Sequence, residues 1–97
     1  MNLRWDARAV QDLREIRNYI AAHGSVASAD RVRRQLRQRV ERLRTNPFIG
    51  VATSNREIRV LAPTRYPYRI YYTVQPNEVV VLHVRHTARQ APTDLDQ

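Results

Sequence analysis

The chain has no cysteine and no lysine, only two glycines, and a single phenylalanine, tryptophan and methionine. Without cysteine there can be no disulfide framework, no thiolate nucleophile and no Cys-based metal site. Two glycines, Gly24 and Gly50, are too few for a Gly-rich phosphate loop. No apolar run approaches the roughly 18 residues that cross a membrane, and the first residues, Met1-Asn2-Leu3-Arg4-Trp5-Asp6, lack a signal peptide's apolar centre. A cytoplasmic protein is the expectation. The missing lysine makes every one of the 17 basic residues an arginine, against 9 acidic ones, for a formal charge of +8. Guanidinium groups suit phosphates, carboxylates and aromatic faces, so the charge points to an acidic protein partner or a nucleic acid. It does not choose between them, and base composition of a genome can also favour arginine over lysine.

The 97 residues suffice for one domain with one modest core. From about Ala7 to Ala22, Ala9, Leu13, Ile16 and Ile20 recur at the spacing of an amphipathic helix, with Asp6 as N-cap and Gly24 as stop. A second helix is predicted from Ser25 or Ser28 to about Thr45, burying Ala29, Val32, Leu36, Val40 and Leu43 and ended by Asn46-Pro47. So short a link makes the pair an antiparallel helical hairpin.

The second half of the chain changes period. Glu57 to Leu61 alternates polar and apolar, as does Tyr68 to Val74, and Val79 to Val84 is apolar on both faces, as in a central strand. Pro63 and the Gln75-Pro76-Asn77-Glu78 break separate them. Residues Asn2 to Trp5 add a short edge strand, and the polar tail Gln90 to Gln97 is expected to be loose. The fold class is therefore α+β, a helical hairpin across one face of a small antiparallel sheet, in a single domain over residues 1–97. Tyr68 and Tyr72 are expected in the core, and Tyr71, on the face with Arg69, exposed.

Two groups invite a functional reading. Arg31, Arg34, Arg37, Arg42 and Arg44 lie on the polar side of the second helix, either a solvated face or a docking face for an acidic segment. Arg37 and Glu41, one turn apart, could pair. At the exit of the last strand stand His83, Arg85, His86 and Arg89. Imidazole moves protons near neutral pH and guanidinium steadies phosphate charge, which is what metal-independent RNA cleavage needs. The competing reading is a strand end finished with polar residues. Strand alternation puts His83 and Arg85 on one face and His86 on the other, and Arg59 and Arg69 could join only through tertiary structure. His83 and His86, with no carboxylate cluster, do not make a metal site.

One ordered set of residues carries a resemblance. Ala9 with Asp12-Leu13-x-x-Ile16-x-x-Tyr19-Ile20 is followed by Leu43-x-x-x-Pro47-x-x-Gly50 and Arg56-Glu57-Ile58-Arg59-Val60. Then come Tyr68-Arg69-Ile70-x-Tyr72-x-Val74 and Val81-Leu82-His83-Val84-Arg85-His86, with Arg89. Across about residues 5 to 89 the chain resembles the RelE/ParE superfamily of bacterial toxins from type II toxin-antitoxin modules, most of all its ParE-type branch. The resemblance implies a growth inhibitor held inactive by a cognate antitoxin, whose acidic or amphipathic C-terminal segment wraps the toxin. The arginines at 31, 34, 37, 42 and 44 are then its expected contact. RelE-like members cleave mRNA on the ribosome; ParE-like members inhibit DNA gyrase. Arg69 matches a catalytic arginine of the nucleases and Arg59 a basic position on the preceding strand. Glu57 replaces a basic residue, Thr87 follows His86 where arginine is common, and no tyrosine follows Tyr72. The resemblance thus favours a gyrase-directed toxin that is not an enzyme and needs no cofactor. The alternative is a ribosome-dependent endoribonuclease using Arg59, Arg69 and Arg85 with His83 or His86. A degenerate toxin that keeps only antitoxin binding is the third reading.

Overall fold

The computed structural model describes residues 1–88; Arg89 and the tail Gln90 to Gln97 lie outside the described residues. The chain begins with strand β1 (Asn2–Trp5), followed by helices α1 (Ala7–His23) and α2 (Val26–Glu41) and a single 3₁₀ turn, Arg42–Arg44. Four strands follow: β2 (Val51–Ala52), β3 (Ile58–Leu61), β4 (Tyr68–Val74) and β5 (Glu78–His86). Asp6 caps α1 by accepting from the Arg8 N–H, and the Gly24 N–H closes the helix on the Ile20 carbonyl. Ser25 caps α2 by accepting from the Ser28 N–H at 3.0 Å. A two-residue link between capped ends forces the helices antiparallel.

The sheet order is β1-β5-β4-β3-β2. The expectation of an all-antiparallel sheet needs one correction: β1 runs parallel to β5, in register from Asn2 opposite Glu78 to Trp5 opposite Val81, so the sheet is mixed. The hairpin between β1 and the later strands supplies the crossover that a parallel pair requires. α2 also ends sooner than its apolar spacing suggests, its last turn tightening into the 3₁₀ turn before Asn46-Pro47.

One face of the sheet meets the hairpin. Ala9 and Leu13 of α1 and Val32, Leu36 and Val40 of α2 pack with Leu61, Tyr68, Ile70, Tyr72, Val79, Val81 and Val84. Truncating a fully buried residue such as Leu36 to alanine should cost about 2–5 kcal/mol. On the other face Ile58 and Tyr71 form a second cluster with Val60 and Leu82. Tyr71 shares Arg69's side of β4, as alternation requires, yet it is only 6% exposed because these apolar neighbours cover it.

A bulge in β5 decides what points where. Tyr71 pairs with His83 but Tyr72 pairs with Val81, so Leu82 is an extra residue. Val79 and Val81 face the helices before it, and Val84 does so after it, although 81 and 84 differ in parity. The frame shift keeps both ends of β5 in the core.

Candidate functional site

The strand-exit residues do not all converge. Arg69 and Arg85 are direct cross-strand neighbours on the face away from the helices, half-buried, with no acidic ion-pair partner among the described residues. Arg69 reaches the Thr87 carbonyl at 3.4 Å, and the Arg85 Nε is buried without a hydrogen bond. His86 pairs with Tyr68 on the helix side, its ring edge-on to the tyrosine at 5.4 Å. Its Nδ1 accepts the Ala88 N–H at 3.0 Å, so in the neutral ring the proton sits on Nε2. His83 is buried at the bulge, with Nδ1 3.5 Å from Asp12 Oδ2. Arg59 pairs with Tyr72 on the helix side of β3 and spends its guanidinium on the carbonyls of Phe48, at 3.3 Å, and Gly50, at 2.6 Å. Register thus brings Arg69 to Arg85 and sets Arg59 and His86 on the opposite face. Arg89 lies outside the described residues.

Beside His86 a cleft of about 510 Å³ opens between α1 and the ends of β4 and β5. Asp12, Glu15, Ile16, Tyr19, Tyr68 and His86 line it, and Arg85 borders it as well. Asp12 carries part of the resemblance but is not among the sequence's candidate site residues. It is 7% exposed, and its Oδ2 accepts the Val84 N–H at 2.9 Å. Because β1 ends opposite Val81, this edge of β5 has no further strand neighbour, and the carboxylate satisfies the amide that a longer β1 would have taken. A signal was present: Asp12 falls between Ala9 and Ile16 at the three and four spacing of the buried stripe, where a carboxylate has no reason to be unless it is bonded.

The five arginines at 31, 34, 37, 42 and 44 are all exposed. They do not behave as one set. Arg31 donates to the Ser28 hydroxyl at 3.1 Å, and Arg37 lies over the Trp5 ring at 5.9 Å. The pairing of Arg37 with Glu41 does not form: Glu41 is taken by Arg44, which also reaches the Met1 carbonyl at 3.3 Å. Arg34 and Arg42 have no ion pair among the described residues. Arg39, half-buried, donates to the Ala62 carbonyl at 2.6 Å; burial, with Arg42 adding to it, lowers its pKa.

At the far end of the sheet the loop between the 3₁₀ turn and β2 is pinned from beneath. The Tyr72 hydroxyl, in the core, accepts the Gly50 N–H at 2.8 Å while Arg59 holds the carbonyls on either side of Ile49. A Cβ on Gly50 would stand 2.6 Å from the Tyr72 Oη and 2.9 Å from the Val60 carbonyl, so only glycine fits. Burial raises the Tyr72 pKa; the Gly50 amide and Arg59 partly oppose this. Above this anchor Phe48, Ile49 and Val51 are 62%, 53% and 68% exposed.

Among the described residues no three His, Asp or Glu side chains gather as a metal-holding group, and no helix is long and apolar enough to cross a membrane. A two-helix hairpin on one face of this mixed sheet, in this strand order, is a RelE/ParE-like toxin fold. The sequence model of the ParE toxin of the type II toxin-antitoxin system, parDE, matches residues 3–91, and the chain belongs to that family. Among solved structures it is similar to a chain of the chromosomal ParDE TA system from P. aeruginosa, with a TM-score of 0.81 and 22% identity. That match covers 89% of this chain and 95% of the other. No curated protein sequence matches it.

Proposed function

We propose that this chain is a growth inhibitor that binds DNA gyrase in the cytoplasm and is held inactive by a cognate antitoxin. Membership of the ParE toxin family supports the reading. The observation that carries gyrase over the ribosome is the scatter of the groups a nuclease would need. Metal-independent cleavage requires an acid or base within hydrogen-bond reach of the reacting phosphate and cations around the same point. Here Arg85 and His86 share the lining of the cleft beside α1, but Arg59 and Arg69 do not join them there, His83 is buried, and no tyrosine follows Tyr72. For the antitoxin, the exposed Arg31, Arg34 and Arg42 offer charge to an acidic segment, and the cleft between α1 and β5 offers a place for its apolar side chains.

Purified toxin is expected to block supercoiling by gyrase, and the antitoxin to restore it. Cleavage of mRNA during translation, with gyrase untouched at high toxin excess, would overturn the proposal. The ribosome-dependent nuclease remains the second reading because Arg69 and Arg85 are direct cross-strand neighbours and neither has a carboxylate ion-pair partner among the described residues, a pairing that suits a phosphate. Replacing Arg69 and His86 together by alanine should abolish growth arrest under that reading and leave it under the first.

A further inference from the structure

We propose that the ridge made by Phe48, Ile49 and Val51 is the surface with which the toxin grips its target enzyme, entering an apolar socket bordered by carboxylates. This rests on the gyrase reading above. Three large apolar side chains within four positions are each more than half exposed, whereas the other exposed large apolar residues, Met1, Tyr19 and Val26, stand singly along the chain. Adjacent exposed apolar groups of this kind mark protein contacts rather than ordinary surface.

The loop that carries them is held far more firmly than a connection requires. Tyr72 fixes the Gly50 amide, Arg59 fixes the Phe48 and Gly50 carbonyls, and the same guanidinium lies over the Phe48 ring at 5.0 Å. Its ordering cost is therefore met before any partner arrives, which is how a small rigid patch achieves affinity.

Shape selects the class of occupant. A disordered segment that folds on binding brings its side chains to a concavity, such as the cleft at the other end of the sheet. Rigid, outward-standing apolar side chains need a concavity already formed in a folded partner. Charge selects the rim: Arg42, with no ion pair among the described residues, precedes the loop, while Arg56 and Arg59 share with Phe48 a groove of about 290 Å³ in which Glu57 is the one acidic lining residue. Carboxylates around the socket would meet an excess of guanidinium.

The test uses the full chain with Phe48→Ser and Ile49→Ser combined, both exposed and outside the core. The proposal expects a melting temperature close to that of the parent, antitoxin affinity within about twofold, and at least a tenfold (~10×) rise in the concentration that half-inhibits gyrase supercoiling. Ile49→Glu should weaken inhibition more than Ile49→Arg; equal losses would overturn the acidic socket. Full inhibition by the serine variant, with the parent active, would overturn the ridge and leave the gyrase reading intact. An inactive parent would overturn both. A loss of antitoxin affinity without loss of inhibition, or conversion of a parent dimer to monomer in light scattering, would assign the ridge to the antitoxin or to a second copy and overturn the proposal.

Discussion

At the α1 end of the sheet one carboxylate, Asp12, closes the edge of β5, and the surface beside it is a cleft. At the β2 end a phenol and a guanidinium, Tyr72 and Arg59, close a loop, and the surface above it is a ridge. Both ends solve the same problem, a backbone amide or carbonyl left without a strand neighbour, by sending one polar side chain to it. They differ in what the solution leaves outside. A helix leaning over a capped edge makes a hollow, whereas a loop drawn down onto the sheet pushes its apolar side chains outward. Under the two proposals above, the chain would serve two partners of different physical character, a segment that folds into the hollow and a folded protein that receives the ridge.

The comparison breaks most sharply at Gly50. In Gly50→Ala the new methyl meets the Tyr72 hydroxyl and the Val60 backbone carbonyl, and since the carbonyl belongs to β3 the loop itself must move. Overpacking with loss of the buried hydrogen bond should cost about 3 kcal/mol. Thermal unfolding should show a midpoint more than ~10 °C lower for a chain of this length. A shift of under ~3 °C would mean that the loop is not pinned as described.

Asp12→Ala tests the other end. It strands the buried Val84 N–H and should cost about 2–3 kcal/mol, with Asp12→Asn recovering part of it through its own carbonyl oxygen. Amide exchange gives the sharper reading. The alanine variant should expose the Val84 amide selectively while Gly50 keeps its protection. Loss of both together would show that the two ends are one cooperative unit.

Tyr72→Phe is the mirror of that experiment, removing the acceptor of the Gly50 amide at about 1–2 kcal/mol. It also carries a pH signature. The folded-state pKa of Tyr72 lies above the ordinary value, so the folded chain holds this proton more tightly than the unfolded one. Its contribution is complete below the ordinary tyrosine pKa of about 10 and is lost as pH rises through the raised value. The chain has no lysine to obscure this range. Denaturant midpoints measured from pH 9 upward should fall less steeply in the phenylalanine variant; identical slopes would remove Tyr72 as the alkaline trigger.

How much of this was legible in the sequence follows the distance over which each feature is determined. The helices and their caps at Asp6 and Ser25 are local, and the 3.6 period and polar caps spelled them out. β4 was legible from Tyr68 to Val74, where alternation is clean. β2 was not, because two residues exposed on both sides carry no alternation. The parallel pairing of β1 and the bulge at Leu82 depend on which edge lies free after the hairpin has docked, and no local pattern encodes that. The same limit governed the site. His83, Arg85 and His86 look like neighbours along the chain, while the fold sets Arg85 across from Arg69 and sends Arg59 to work beneath a loop. Asp12 could have been found by asking why a carboxylate interrupts an apolar stripe.

The smallest effect on the fold is expected on α2. Arg31 and Arg34 are exposed, Arg31 holds only the Ser28 hydroxyl at 3.1 Å, and neither packs into the core. Replacing both by glutamate should therefore change stability by no more than about 0.5 kcal/mol. If α2 receives the acidic antitoxin segment, the same variant should slow association and flatten or invert its dependence on salt, because exposed rim charges act mainly on encounter. Stopped-flow mixing at two ionic strengths reads this directly. A variant that binds antitoxin at the parent rate and with the parent salt slope would show that the arginines of α2 are a solvated face, and that neutralisation is carried by the cleft alone.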